Sequence, residues 1–379
     1  MYRKASTHPG TRWWIVPAMF LPLFVLACGG TPSKGETAIV PPTRPATALP
    51  TAVPTAVPTA TATATPEPTE DLTSFLQRTR ANELGMIMVL EYHLIEEPED
   101  RWSRTPSNFR ADLEYLIAEG YYPINMIDLA LGQIDVPAGK TPVVLTFDDS
   151  PSGQFRMLPD GTVDPNCAVG IILDVARERP DDWRPRATFY PLLDVDVPDR
   201  VLFGQPEWAE QKLRDLVEWG MEVGSHTISH LDMGASSAEL VQWQLAVSEN
   251  TIESMIPGYE VRSLSVPFGS YPEDWNLLHG GEWEGQSYDF ETACWMAGGA
   301  SVSPFADTFD VYYIQRIQAV QEELSYWFRY FEEHPEMRYI SDGDLTSVSI
   351  PDNLDPQVYG NLRGDLPADL IVRRYTPSP

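Results

Sequence analysis

Cations and cysteine are what this 379-residue sequence has least of. It carries 26 Lys and Arg against 55 Asp and Glu, a formal charge of −29. A surface of that sign repels nucleic acid, teichoic acids and anionic lipid, and suits a neutral or cationic partner. Three cysteines with no CxxC pair exclude a finger-type zinc site and a disulfide-built scaffold. Histidine is scarce as well, six in all, so two of them within five residues stand out. No apolar run is long enough for a good membrane span: the one from Trp13 to Leu26 is short and broken by Pro17 and Pro22.

That run has a different meaning. Arg3, Lys4 and Arg12 precede it, and it ends in VLACGG. Ala27 directly before Cys28 resembles the lipobox of bacterial lipoproteins, which implies removal of residues 1–27, diacylation of the Cys28 sulfur and a membrane-anchored, extracytoplasmic protein. Losing the three cations of the segment takes the charge from −29 to −32. An exported chain permits a Cys167–Cys294 disulfide, though nothing in the sequence places the two thiols together. Residues 28–79 are expected to be a tether. Their TAVPTAVPTATATATPEPTE stretch buries no core and reads as partly polyproline-II. Forty such residues at ~3.1 Å each extend to about 120 Å.

The rest, 80–379, is long for one domain and within the range of an α/β barrel. Strand-like and helix-like stretches alternate from Met86 onward. MIMVLEYH, YYPINMI, TPVVLTF, RATFYPL, MEVGSH, VRSLSVPF, TACWMA and VYYIQRIQAV read as strands. SNFRADLEYLIAEG, the stretch ending near Glu178, WAEQKLRDLVEWG, SSAELVQWQLAVSENTIESM and AVQEELSYWFRYFEE read as helices. Repeated βα alternation predicts a parallel sheet, open or closed, with chemistry at the carboxyl ends of its strands. After Pro335, SDGDLTSVSIP reads as a packed β-extension.

One strand runs straight into two acids. VVLTFDDSP puts Asp148 and Asp149 side by side at the mouth of an apolar strand, where they repel and lose hydration. VGSHTISH supplies His226 and His230 at i and i+4, on one face if the turn is helical, with Cβ atoms about 5–6 Å apart. Thr227 follows the first His, so a zincin-type Glu base is missing. One carboxylate and two imidazoles make a three-ligand site with room for water, suited to Zn²⁺ and open to Co²⁺, Ni²⁺ or Fe²⁺. The second carboxylate is then placed to take a proton from water. Chemistry alone does not say which Asp does which.

TFDD at 146–149, GMEVGSHTISH at 220–230 and SVPFG at 265–269 resemble the first three motifs of the polysaccharide deacetylases, the NodB-homology family. The resemblance spans about 86–320 and implies a distorted (β/α) barrel of about seven strands. It also implies a metal-dependent hydrolase that removes N-acetyl groups from a glycan. Carried over by motif, Asp148 is the catalytic base, Asp149, His226 and His230 bind the metal, and the backbone N–H of Phe268 faces the oxyanion. The family usually has Arg two residues before the third-motif Pro, paired with the catalytic Asp. This chain has Ser265 there. Arg316 could stand in from a late strand, although a surface position is the expectation for it. LEYH places His93 after the first strand, and this resembles a branch with permuted motif order in which the general-acid His comes first.

Other candidates have plainer readings. His279 and His334 are expected in solvent, Asp160 and Asp164 in a polar turn, and Trp275, Trp283 and Trp295 in the core or as loop anchors rather than sugar platforms. The loop 150–166 is placed to wall a substrate groove. The alternatives to the deacetylase reading are a non-catalytic glycan-binding lipoprotein, an O-acetyl esterase or other C–N hydrolase, and an aspartyl-phosphate enzyme, which leaves the two His unexplained.

Overall fold

The computed structural model describes residues 70–378. The signal segment, Cys28 and the tether up to residue 69 lie outside the described residues.

Eight parallel strands build the core sheet: β1 Met88–Tyr92, β2 Tyr121–Ile124, β3 Thr141–Asp148, β4 Thr188–Tyr190, β5 Glu222–Val223, β6 Ser263–Ser265, β7 Thr292–Gly298 and β8 Ile314–Gln318. Seven of them follow one another around a barrel in the order β5-β4-β3-β1-β8-β7-β6, and β2 flanks β3 off that path. The two end strands meet through a single parallel bridge, Ser225 to Leu264, so the cylinder is closed by one residue. All residues of β1 and β3 are buried, as expected where helices cover a parallel sheet. Phe147 stacks on Phe189 at 4.7 Å and on Tyr92 at 5.3 Å, and Phe109 packs edge-on against both Tyr92 and Phe147.

The covering helices begin where the sequence offers a cap. Helix α2, Pro106–Ala118, has Thr105 accepting the Asn108 N–H and Pro106 at its first position. The longest, Ala238–Met255, is capped by Ser237, and its buried residues include Val241, Leu245 and Ile252. Gln321–Glu333 follows β8.

Several expectations need correction. The tether does not run to residue 79: Asp71 accepts the Ser74 N–H and starts helix α1, Leu72–Thr79, which buries Leu76. YYPINMI is not one strand. β2 ends at Ile124, and Asp128 accepts the Asn125 N–H at 3.0 Å to open a short helix, Met126–Ala130. A hairpin of Gly281–Trp283 with Gln286–Tyr288 carries no hydrophobic alternation in sequence and was not expected. The packed β-extension is present: Ser347–Pro351 pairs in parallel with Ile371–Tyr375. Cys167 and Cys294 are buried free thiols, so the disulfide between them does not form.

The extension is fastened to the segment just after α1 by a buried bond from the Tyr375 hydroxyl to the Ala81 carbonyl, at 2.9 Å. Tyr375→Phe is expected to cost about 0.5–1.5 kcal/mol in urea unfolding. An unchanged midpoint would mean that this bond contributes nothing to stability.

Candidate active site

The carboxyl ends of the barrel strands surround a cavity of about 550 Å³. Its lining includes Glu91, His93, Asp148, Asp149, Arg200, His226, His230, Trp102 and Phe268. Every side chain singled out as catalytic or ligating is therefore in one place. The backbone there is unusual: Asp149 (φ 73°), Ser150 (43°), Thr227 (62°), His230 (58°) and Phe268 (56°) all adopt left-handed conformations. Non-glycine residues hold such angles only where surrounding structure compels them, at about 1–3 kcal/mol each.

Those angles also correct the helical reading of HTISH. Residues 226–230 form a turn rather than a helix. Its two left-handed residues bring the imidazoles to 4.9 Å between centroids by another route. The turn is held from outside, since Gln244 on the long helix accepts the N–H groups of Ile228 and Ser229.

Asp149 Oδ1 lies 3.4 Å from Nε2 of both His226 and His230, and it is buried without a hydrogen-bond partner. Donor atoms about 2.0–2.1 Å from a tetrahedral ion stand about 3.3–3.4 Å apart, so this spacing fits a divalent ion. The tautomer fits as well. His226 Nδ1 meets the Ser265 carbonyl at 2.8 Å, and a carbonyl only accepts, so Nδ1 carries a hydrogen and Nε2 is the nitrogen turned to Asp149. Burial lowers the His226 pKa, but the charges of Asp148 and Asp149 outweigh it and raise it. Burial lowers the His230 pKa to about 4, with the charge of His226 adding to the effect, which keeps its imidazole neutral. Burial opposes ionisation of Asp149, but the three nearby imidazoles, His226 foremost, hold its pKa down at about 2.

Asp148 is differently placed. Arg316 grips it with two bonds, Nη1 to Oδ1 at 2.9 Å and Nη2 to Oδ2 at 2.8 Å, and Ser265 Oγ donates to Oδ2 at 2.8 Å. Burial alone would raise its pKa, but the Arg316 and His226 charges dominate and hold the carboxylate well below its usual range. Arg316 is no surface residue. Only 1% exposed, it comes from β8 and also bonds Glu91 at 2.9 Å, Thr146 and the Trp295 carbonyl. The guanidinium expected at position 265 is thus supplied by another strand, and the small Ser265 side chain bonds both Asp148 and Arg316.

His93 ends the first strand beside this group. Its Nε2 is 3.9 Å from Glu91 Oε1, and its ring packs on Trp102 at 5.0 Å between centroids. Burial lowers its pKa. Gln154 Nε2 donates to the carbonyls of both His93 and Asp148, at 2.7 and 2.5 Å, tying the ends of β1 and β3 together. Phe268 presents an exposed ring edge-on to His230 at 4.2 Å.

Four participants escaped the sequence reading. Glu91 shares a strand face with His93, and that i, i+2 relation was the signal available for it. Burial raises its pKa strongly despite the Arg316 charge. Gln154 and Trp102 had no local signal, and neither did Arg200, whose guanidinium pairs with Asp149 Oδ2. The plainer candidates stay plain. His279 is exposed and stacks on Tyr312, His334 is exposed at a helix end, Asp160 caps the turn at Thr162, and Asp164 pairs with Arg156. Trp295 is stacked against Tyr313, while Trp275 stacks on Tyr271 and is 41% exposed.

Among known proteins, the chain is 29% identical over 136 residues to a chitooligosaccharide deacetylase of Sinorhizobium fredii. The match covers 36% of this chain and 51% of the relative, so the chain spans about half the length of the curated relative it matches. Among solved structures it resembles a polysaccharide deacetylase of Bacillus cereus, with 20% identity, a TM-score of 0.47, and 64% of this chain and 69% of that one covered. It also resembles the Streptococcus pyogenes deacetylase PplD, with 18% identity, a TM-score of 0.47, and 64% and 97% covered. Residues 135–279 match the family model for polysaccharide deacetylases, a segment that contains Asp148, Asp149, His226, His230 and Phe268 and leaves His93 and Arg316 outside it.

Proposed function

We propose that this chain is a metal-dependent hydrolase that removes N-acetyl groups from glucosamine units of an extracytoplasmic glycan, tethered to a membrane through Cys28. The observation that carries the reading is the orphaned Asp149 Oδ1 facing two imidazole Nε2 atoms, with Asp148 and His93 beside them.

Asp149, His226 and His230 would hold the ion, with Zn²⁺ the best match to two nitrogens and one oxygen. When bound, the ion supplies a Lewis acid that acidifies water and polarises the amide carbonyl. Asp148 accepts the proton of the attacking water. Arg316 and Ser265 keep that carboxylate ionised and aimed, so it is ready as a base at neutral pH. As the carbonyl oxygen gains charge, the Phe268 N–H is the backbone donor assigned to it. His93, after taking up a proton from solvent, passes it to the departing amine, because an amide nitrogen leaves only as a neutral amine. Trp102 and Phe268 give the cavity apolar walls suited to a sugar ring and an acetyl methyl. The products are acetate and a free amino sugar.

The test is acetate release from N-acetylglucosamine oligomers and peptidoglycan by the metal-stripped chain, before and after Zn²⁺ or Co²⁺ is resupplied. Release that appears only with metal is expected. Saturable glycan binding without acetate under any metal would replace this reading with a non-catalytic binding protein, and release from O-acetyl esters alone would make it an esterase.

A further inference from the structure

Asp149 uses its two oxygens differently. Oδ1 faces the two imidazoles, and Oδ2 is paired with the Arg200 guanidinium. Arg200 reaches it from a loop some fifty residues further along the chain, and that loop is bolted to the residue after the Asp. Ser150 Oγ donates to the Arg200 carbonyl at 2.8 Å and accepts the Leu192 N–H at 3.0 Å. The Ser150 carbonyl accepts the Phe203 N–H at 3.1 Å, and the Ser152 N–H donates to Asp199 at 3.3 Å. Lys212, fully buried, donates to the Phe203 carbonyl at 3.0 Å, with the Phe155 and Phe203 rings beside its ammonium. Leu202 and Phe203 are held at φ 46° and 65° by this clasp, so the loop conformation is specified in the same way as the Asp149–Ser150 turn.

From this geometry we infer that Arg200 is a positioning residue for the metal site. By occupying Oδ2 it confines Asp149 to one-oxygen ligation and leaves the remaining coordination position for water and substrate. A carboxylate free on both sides can swing its second oxygen toward the ion and fill that position. Outer partners of this kind fix the orientation of a ligand and tune what it binds. The inference rests on the metal reading above and adds to it a residue that the deacetylase motifs do not contain.

The experiment is titration of the metal-stripped chain with Zn²⁺ by calorimetry, together with the visible spectrum of the Co²⁺-loaded protein, for wild type, Arg200→Ala and Arg200→Lys. Arg200→Ala is expected to weaken Zn²⁺ binding by about 10–100-fold. It should also replace the intense Co²⁺ bands of a low-coordinate site with the weak ones of a higher-coordinate site. Arg200→Lys, which keeps the charge but not the planar fork, should recover part of the affinity. If Arg200→Ala does not fold, the Lys variant against wild type carries the comparison. Affinity and spectrum both unchanged in the variants, or tighter binding without Arg200, would overturn the role assigned to Arg200 and leave the metal site standing. A wild-type chain that takes up no ion would overturn both.

Discussion

Replacing Asp148 by Asn is expected to reduce the rate of acetate release by about 10²–10⁴-fold, while the divalent ion stays bound. The side chain keeps its size, and none of Asp149, His226 and His230 is touched. Two things are lost together. An amide cannot take a proton from water, and in either orientation its NH₂ group faces an Arg316 N–H, where an acceptor is required. The checks are kcat and metal stoichiometry on the same preparation. Full activity with one ion bound would remove Asp148 from the role of base, and a chain emptied of metal would mean that Asp148 helps to hold it.

Arg316→Met is expected to destabilise the chain by about 3–5 kcal/mol, the effect of stranding buried charge. The guanidinium is the cation between Glu91 and Asp148, two carboxyls that are each nearly fully buried. In the wild type the folded pKa of Asp148 is depressed. Its contribution to stability is therefore present above the unfolded carboxylate value and is lost only as pH falls toward the folded one. Without Arg316, burial and repulsion raise Asp148 too, and push the already raised Glu91 higher still. The sign then reverses: the folded state must hold protons that the unfolded chain gives up, so the variant loses stability as pH rises from about 4 toward neutrality. Urea unfolding at pH 5 and pH 8 checks this, with the larger deficit expected at pH 8. The base should also titrate into view, giving the variant an acid limb in its rate profile at higher pH than the wild type. An equal deficit at both pH values would mean that Arg316 acts through packing alone.

Local chemistry was legible in the sequence because it is written in adjacent residues. TFDD announces a strand and its acids within four positions, and HTISH brings two imidazoles within reach of each other whether the turn is helical or, as here, left-handed. His93 became legible only through the motif order around it. Arg316 was misplaced for a physical reason. Its partner lies 168 positions away, and what joins them is the barrel order in which β8 lies next to β1 and β1 next to β3, a property of closure rather than of any window of sequence. Arg200 had still less to announce it, because its position depends on a loop pinned through side-chain and backbone bonds to Ser150. The strand and helix pattern failed where a cap decided the matter, at Asp71 and at Asn125, since capping overrides the composition of the neighbours.

The barrel closes at Ser225 alone, whose N–H donates to the Ser263 carbonyl at 2.8 Å and whose carbonyl accepts the Ser265 N–H at 2.9 Å. The next residue is His226, and its ring crosses the same gap to the Ser265 carbonyl. The narrowest join in the cylinder and the aiming of an imidazole are thus one set of bonds. Parting this join also breaks the bond that aims His226, so amide exchange along 223–226 and 263–266 is expected to report at once on the integrity of the wall and of the site. An ion held across His226, His230 and Asp149 would act as a rivet there, and the protein would hold its shape most tightly when it is equipped to work.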